Sequence, residues 1–426
     1  MENPIVLKNK FSVPSYQQNI LGGENISFPS FSSENTTSND EVEINGKKYP
    51  RFTNEFWTAK QRQASSLHEI SYRACFKPQL PRFFIELFTK EKDVVYDPFS
   101  GRGTTAIEAG LLNRNVIAND INPLSAILCS PRFFIPEISE VEERLYKIKN
   151  LEGFPNLQGF DLSMFYHKKT LAEIVSLKNY LSVRKESKEE DALDKWIRMV
   201  ATNRLTGHSI NFFSVYTFPP NQAVSAESQK RINEKRSQKP EYKNVREIIL
   251  KKTKDLLSNV TEEQKAILNN IGQKAKFISL DARKTKSIKS NSVQLTVTSP
   301  PFLDVVQYAN DNWLRCWFNS LDAVEIANRI TMSKKIEDWC DVMKNVFKEL
   351  FRITKPNGFV AFEVGEIRNG KIKLDEFVVP LGEEVGFRCK GIFINEQSFT
   401  KTSNIWGINN NSKGTNTNRI VVFEKT

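Results

Sequence analysis

The segment VVYDPFSGRGTTAIEAG, residues 94–110, gives the clearest indication of the fold. Its first residues, Val94–Asp97, form a short apolar run typical of a buried strand, and the residues from Thr104 onward have helical character. Gly101 and Gly103 lie between them, where glycine permits positive φ and lets the backbone approach a ligand closely. The first N–H groups of the helix would face a ligand bound beside this turn. The segment therefore predicts a strand, a turn suited to a ligand, and a helix.

The regions on either side extend this α/β pattern. Val116–Asp120 predicts a second strand, and strand-like apolar runs return after residue 275. They are Lys276–Asp281, Val293–Val297, Gly358–Val364, Gly391–Asn395 and Arg419–Phe423. We accordingly predict a polar, mobile arm over residues 1–50 and an α/β domain in two parts, 51–135 and 276–426. A largely helical insertion, 136–275, separates the two parts.

Composition narrows the class of protein. The 426 residues carry a formal net charge of +11, with a pI of about 9.2, which favours a polyanionic partner such as nucleic acid. The five cysteines never form a C-x-x-C pair and the three histidines lie far apart, so we expect no metal site. No apolar run of eighteen residues and no secretory signal is visible, so the expectation is a cytoplasmic protein without a membrane partner.

The glycine turn alone leaves more than one interpretation open. A P-loop is excluded, because no Gly-Lys-Ser/Thr follows. Gly101-Arg-Gly-Thr-Thr-Ala106 does satisfy the G-x-G-x-x-A form of a dinucleotide site, and Asp120 ends the next strand, where a ribose-binding acid belongs. A tight turn without any ligand is the third possibility.

Two motifs together resemble one known family. Asp97-Pro-Phe-Ser-Gly-Arg-Gly-Thr-Thr105 is similar to D-P-F-x-G-x-G-T-T, the first motif of S-adenosylmethionine-dependent DNA amino-methyltransferases. Ser299-Pro-Pro-Phe302, at the end of a later strand, matches that family's catalytic [D/N/S]-P-P-[Y/F]. The resemblance implies a class I methyltransferase (Rossmann-like) fold, with a mostly parallel seven-stranded sheet and an antiparallel late strand.

The resemblance also implies which residues bind S-adenosyl-L-methionine. The glycine turn would cradle its methionine end, Asp120 would accept the two ribose hydroxyls, and Asp281 with Ala282 would lie near the adenine. Lys77 belongs to a looser match, Lys77–Pro81, to the methionine-pocket motif. The full set assigned to the cofactor is Lys77, Asp97, Pro98, Phe99, Ser100, Gly101, Gly103, Thr104, Thr105, Asp120, Asp281 and Ala282.

The catalytic loop has a chemical rationale. The lone pair of an exocyclic amine is conjugated with its ring, and acceptors for its two N–H groups free that lone pair for attack. The Ser299 hydroxyl and the Pro300 carbonyl would be those acceptors, held rigid by Pro300 and Pro301. Phe302 would stack on the flipped base. In this family Ser usually accompanies cytosine N4, and Asp or Asn adenine N6; no cysteine follows a proline, which argues against cytosine carbon 5.

The insertion supplies basic residues for double-stranded DNA. Those predicted to contact phosphates are Arg231, Lys235, Arg236, Lys239, Lys243 and Arg246. The function expected is methylation of cytosine N4 in DNA, as the protective partner of a restriction endonuclease. Adenine N6 methylation, a structured RNA substrate, a nicotinamide-dependent oxidoreductase and a catalytically inactive DNA-binding protein remain as alternatives.

Overall fold

The computed structural model describes most of the chain after residue 37. The described ranges are 38–57, 64–72, 75–149, 161–219, 222–301, 308–330, 335–367, 372–395 and 418–426. The first 37 residues of the predicted arm, and Phe302 of the catalytic loop, lie outside them. Residues from Ser38 to Thr426 belong to one compact unit, so the helical insertion packs as part of the sheet domain.

The strands of the described residues form one large sheet and one small ribbon. They are β1 Ser38–Ile44, β2 Lys47–Asn54, β3 Val94–Asp97, β4 Asn115–Asn119, β5 Lys276–Ile278, β6 Val293–Thr298, β7 Thr354–Val364, β8 Glu366–Ile367, β9 Ile372–Lys373, β10 Arg388–Asn395 and β11 Asn418–Lys425. The large sheet has the order β1-β2-β10-β11-β7-β6-β3-β4-β5, and β8 pairs with β9 alone.

The central part of the large sheet has the predicted architecture. Strands β5, β4, β3, β6 and β7 are mutually parallel, and β11 lies antiparallel between β7 and β10. Leu295 and Val297 on one face of β6, and Thr296 and Thr298 on the other, are fully buried, as expected for a central strand covered on both faces. The mostly parallel seven-stranded sheet with a late antiparallel strand is therefore confirmed.

A hairpin extends this sheet to nine strands and corrects the boundary of the predicted arm. Strand β1 pairs antiparallel with β2, and β2 pairs parallel with β10. The two strands are joined at Asn45-Gly46, and both residues have positive φ, 50° and 76°. Asn-Gly is the usual sequence of such a two-residue turn, so the hairpin had a local signal that composition obscured. Residues 38–50 belong to the sheet.

Helices cover both faces of the sheet and make up the insertion. They are α1 Gln79–Phe88, α2 Thr104–Leu111, α3 Leu124–Cys129, α4 Ile138–Lys147, α5 Lys168–Glu186, α6 Ala192–Arg204, α7 Ala226–Lys235, α8 Val245–Leu257, α9 Glu262–Gly272, α10 Tyr308–Phe318, α11 Ala323–Arg329, α12 Ile336–Ile353 and α13 Asp375–Glu384. Helices α4–α9 fall within residues 136–275. Among the helices described, none has the length and apolar character needed to cross a bilayer.

Candidate active site

A cavity of about 300 Å³ opens at the carboxyl ends of the parallel strands. This is the edge at which open α/β sheets bind their ligands. The predicted residues that line it are Pro98, Phe99, Gly101, Asp120, Asp281, Ala282, Ser299, Pro300 and Pro301. The glycine turn and the catalytic loop, about 200 residues apart in sequence, therefore share one cavity.

The glycine turn is built by two glycines with different constraints. Gly101 has φ +49° and lines the cavity, and a Cβ there would come no closer than 3.5 Å to the Tyr72 ring. Gly103 has φ +83° and is the N-cap of α2, where a Cβ would lie 2.3 Å from Cys129 Sγ. Gly103 is thus required for packing, whereas Gly101 provides open backbone beside the cavity.

Asp120 anchors the turn from the end of β4. One carboxylate oxygen accepts the Gly101 N–H and the other accepts the Asn122 N–H, each at 2.9 Å. Each oxygen retains a second lone pair, so the carboxylate can still accept two ligand hydroxyls. Burial raises the pKa of Asp120 to about 6. An ionised acid therefore faces the cavity near neutral pH.

Several residues predicted to bind the cofactor instead form buried hydrogen bonds that hold the turn in place. The Ser100 hydroxyl donates to the Asn119 carbonyl (3.0 Å), and the Thr105 hydroxyl donates to the Val297 carbonyl (3.1 Å). The Thr104 hydroxyl accepts from Arg102 Nε at 3.3 Å. Asp97 is 2% exposed and accepts from Thr298 and from the Phe99 N–H. Within the described residues, these four side chains and Gly103 are not part of the cavity lining.

Residues just before the methionine-pocket match, Lys77–Pro81, line the cavity. Tyr72, Cys75 and Phe76 line the cavity, but Lys77 is not among the described lining residues. The backbone before Tyr72 is fixed by buried arginines. Arg102 donates to the Ile70 carbonyl at 2.9 Å, and Arg315 donates to the Ser71 carbonyl at 3.0 Å. Tyr72 and Phe76 make this part of the wall largely aromatic, and a ligand contact from Lys77 stays a prediction.

Asp281 and Ala282, which the resemblance assigns to the cofactor adenine, line the cavity, and the Arg283 guanidinium lies beside Asp281. Arg283 Nε lies 3.0 Å from both Asp281 carboxylate oxygens, and its Nη2 lies 2.6 Å from one of them. These hydrogen bonds hold the pKa of Asp281 below its usual range. Asp281 therefore remains ionised at any physiological pH.

The catalytic loop begins where β6 ends. Ser299, Pro300 and Pro301 line the cavity, and Trp339 Nε1 donates to the Pro301 carbonyl at 3.0 Å. This bond adds to the rigidity of the two prolines. Phe302, predicted to stack on a base, is the first residue outside the described range and stays a prediction.

The sequence interpretation missed Glu363, at the end of the neighbouring strand β7. Glu363 is 6% exposed, lines the cavity and accepts a hydrogen bond from Asn418 Nδ2 at 2.8 Å. Burial raises the pKa of Glu363, and the neighbouring Ser299 hydroxyl and Asn418 amide oppose that rise. In the sequence, Glu363 is simply the one charged residue in the apolar run Gly358–Val364, and nothing in that run indicates a role in a site.

The basic residues proposed for DNA fall into two groups. Arg231, Lys235, Arg236 and Lys239 are exposed on or just after α7, and Arg236 lies over the Tyr216 ring at 3.9 Å. Lys243 and Arg246 instead point inward. Lys243 Nζ donates to the Phe212 and Ser214 carbonyls, and Arg246 donates to the Ile148 carbonyl. Only the first group presents its charge on an open surface.

A metal ion in the described part of the chain would require a cluster of metal-binding side chains. No group of three or more His, Cys, Asp or Glu residues there is arranged to hold an ion. The cavity instead combines apolar walls with the carboxylates of Asp120, Asp281 and Glu363.

The sheet order, the antiparallel β11 and the glycine turn at the carboxyl end of β3 define a class I methyltransferase fold. Residues 25–126 match the family model described as DNA methylase (N6_N4_Mtase). The resemblance to the DNA amino-methyltransferase family is thus confirmed, without a distinction between N4 and N6.

Two curated relatives are Type II methyltransferases. M.BsoBI of Geobacillus stearothermophilus is 37% identical over 111 residues, which are 24% of this chain and 22% of that protein. M.MvaI of Kocuria varians is 30% identical over 189 residues, 38% of this chain and 40% of that protein. The chain thus spans well under half the length of these relatives. A solved S-adenosylmethionine-dependent methyltransferase from Methanosarcina mazei aligns at 9% identity and a TM-score of 0.29, over 80% of this chain and 96% of that one.

Proposed function

We propose that the protein transfers a methyl group from S-adenosyl-L-methionine to the exocyclic N4 amine of cytosine in double-stranded DNA. The observation that carries this proposal is the convergence of Ser299-Pro300-Pro301 with Gly101 and Asp120 on one cavity. Neither motif alone is decisive, because a glycine turn serves many nucleotides and a Pro-Pro pair can simply end a strand.

The residues of the cavity suit a ligand with a cationic centre, hydroxyl groups and a flat ring. Asp120 would accept the ribose hydroxyls, as its two free lone pairs allow. Gly101 lets the ligand approach the backbone, and Phe99 and Ile121 provide apolar surface. When bound, the sulfonium of S-adenosyl-L-methionine supplies an electrophilic methyl group. Asp97, Ser100, Thr104 and Thr105 would act by holding the turn, and a ligand contact from Lys77 remains a prediction.

The catalytic loop would activate the amine. The Ser299 hydroxyl oxygen and the Pro300 carbonyl would accept its two N–H groups, which localises the nitrogen lone pair. Preorganised acceptors cost no reorganisation at the moment of reaction, and the prolines with the Trp339–Pro301 bond provide that rigidity. The amine loses its proton after methyl transfer, so no dedicated base is required for the transfer itself.

Duplex DNA would be bound by the exposed basic face of α7 and the residues after it, Arg231, Lys235, Arg236 and Lys239. An amine inside the stack cannot reach a cavity at the sheet edge, so the target base must be flipped out. Phe302 would stack on it. A methylated site would be protected from a restriction endonuclease of the same system, with no contact required between the two proteins.

The test is to incubate the protein with labelled S-adenosyl-L-methionine and mixed-sequence DNA and to identify the modified nucleoside by mass spectrometry. N4-methylcytosine is the expected product. N6-methyladenine would overturn the cytosine assignment and retain the enzyme class. No incorporation into any nucleic acid would overturn the proposed function. Thermal-shift titration with S-adenosyl-L-methionine and with NAD separates it from an oxidoreductase, since only the former should stabilise the protein.

A further inference from the structure

Ser299 and Glu363 are adjacent at the ends of two parallel strands. Thr298 of β6 pairs with Phe362 of β7, so the next residues along the two strands, Ser299 and Glu363, are neighbours at the carboxyl edge. Both line the cavity. Their proximity is therefore fixed by the register of the sheet, which a loop rearrangement would not alter.

The Glu363 carboxylate is held from two sides. On one side Asn418, the first residue of β11, donates from Nδ2 to Oε1 at 2.8 Å. On the other side lies Ser299, its neighbour across the sheet, whose hydroxyl lowers the pKa of the carboxyl. A carboxylate is an acceptor only, so in a hydrogen bond between the two the serine is the donor. Glu363 is therefore placed to set the direction of the Ser299 O–H bond.

That direction matters because a hydroxyl is both donor and acceptor. An exocyclic amine presents two N–H donors, so a serine that helps to activate it must turn a lone pair toward it. If the hydroxyl hydrogen pointed at the amine, two donors would oppose one another and the acceptor would be lost. Some other group has to take that hydrogen.

Building on the proposed function, we propose that Glu363 is a positioning residue that accepts the Ser299 hydroxyl hydrogen and thereby leaves the Oγ lone pairs free for the target amine. Asn418 fixes the carboxylate in the orientation that this requires. The requirement belongs to serine, because the acceptor oxygen of Asp or Asn at the same position carries no hydrogen to place.

The test is a double-mutant cycle on methyl transfer to DNA, with Glu363→Gln, Ser299→Ala and the double variant. If Glu363 acts through Ser299, Glu363→Gln lowers kcat about 10- to 100-fold, because Asn418 Nδ2 holds the amide oxygen and leaves the amide NH2, a donor, facing the Ser299 hydroxyl. It should have no further effect once the hydroxyl is absent. The Kd for S-adenosyl-L-methionine should change by less than about threefold, because the loss concerns turnover.

The matched control is Glu349→Gln, which makes the same chemical change at another buried carboxylate. Glu349 is 9% exposed and binds Thr285 and Arg352, and it is not among the described cavity residues. It should lower thermal stability and leave kcat unchanged. If Glu363→Gln fails to fold, Asn418→Ala is used in the same cycle, with a smaller loss of kcat that again vanishes without the hydroxyl.

The outcomes separate the two proposals. If the wild-type protein methylates DNA but Glu363→Gln retains full kcat, or lowers it equally with and without the Ser299 hydroxyl, the positioning role is wrong and the proposed function stands. If the wild-type protein methylates no nucleic acid, the proposed function fails and the positioning role fails with it.

Discussion

Thr298 donates its hydroxyl hydrogen to Asp97 Oδ1 across 2.6 Å, between residues 201 positions apart in sequence. Thr298 is the last residue of β6, immediately before the catalytic loop, and Asp97 is the last residue of β3, immediately before the glycine turn. Asp97 also accepts the Phe99 N–H at 3.1 Å. One buried carboxylate therefore fixes the start of both motifs, so their relative position depends on it.

This buried carboxylate predicts how stability depends on pH. Burial raises the pKa of Asp97 from 3.8 to about 7. Between pH 7 and 4 the folded protein binds a proton that the unfolded chain does not, so this group makes the protein more stable as the pH falls through 7. At 1.36 kcal/mol per pH unit, its ionisation costs at most about 4 kcal/mol above pH 7.

Asp97→Asn tests this directly, since the amide oxygen can still accept from Thr298. At pH 8 the variant should melt a few degrees higher than the wild-type protein, because it carries no buried charge. By pH 5 the difference should have disappeared. Melting curves at both pH values measure it, and the acids that do not interact with Asp97 contribute equally to both proteins; Asp120 is the acid that does interact with it. A variant less stable than wild type at pH 8 would mean that the charge itself holds the two motifs.

The two glycines of the turn should respond differently to alanine. In Gly103→Ala the new Cβ would meet Cys129 Sγ at 2.3 Å in a left-handed conformation, so we expect a loss of roughly 2–4 kcal/mol in the free energy of unfolding. Gly101→Ala, with 3.5 Å to its nearest neighbour, should cost only about 1 kcal/mol. Because Gly101 lines the cavity, it should nonetheless weaken S-adenosyl-L-methionine binding.

Denaturant unfolding and calorimetric titration separate these effects. Gly103→Ala should lower the denaturant concentration at the midpoint of unfolding, and it should reduce ligand affinity only in proportion to the fraction of protein that is unfolded. Gly101→Ala should weaken ligand binding with a much smaller change in that midpoint. Equal destabilisation by both substitutions would mean that the turn relaxes around Cys129.

Much of the cavity lining could be predicted, because motifs that resemble those of one family identified the glycine turn, Asp120 and Ser299-Pro-Pro. Each of these motifs lies within a few consecutive residues. The hairpin β1–β2 was missed although its Asn45-Gly46 turn is a local signal, because the polar composition of residues 1–50 outweighed it.

The remainder depends on contacts between distant segments. Glu363 gains its role from the register of β6 and β7, which a single strand sequence does not contain. Lys243 looks like any basic residue of the insertion, yet its ammonium is bound to the carbonyls of Phe212 and Ser214. Charge alone cannot distinguish a lysine that faces solvent from one that ties down a loop.

That distinction yields a prediction for DNA binding. Arg231 and Lys235 are exposed one turn apart on α7, so both can face the same phosphate backbone. Replacing either with Gln should weaken binding and reduce the slope of log K against log salt by about 1. Lys243→Gln should leave the slope unchanged and lower the melting temperature. Fluorescence anisotropy at several salt concentrations provides the slopes; an unchanged slope for Arg231→Gln and Lys235→Gln would place DNA on another surface.

Ser299→Ala should separate chemistry from cofactor binding. Ser299 lines the cavity at the end of β6, whereas Asp120, the proposed ribose-binding acid, directly follows β4, two strands away in the sheet. We expect kcat for DNA methylation to fall about 10²- to 10³-fold, because one of two preorganised acceptors is removed. The Kd for S-adenosyl-L-methionine should change by less than about threefold, since uniform binding is not affected. Single-turnover kinetics and calorimetry measure the two quantities. Equal losses in kcat and affinity would show that Ser299 shapes the cofactor pocket, and the amine would then have to be activated by the Pro300 carbonyl alone.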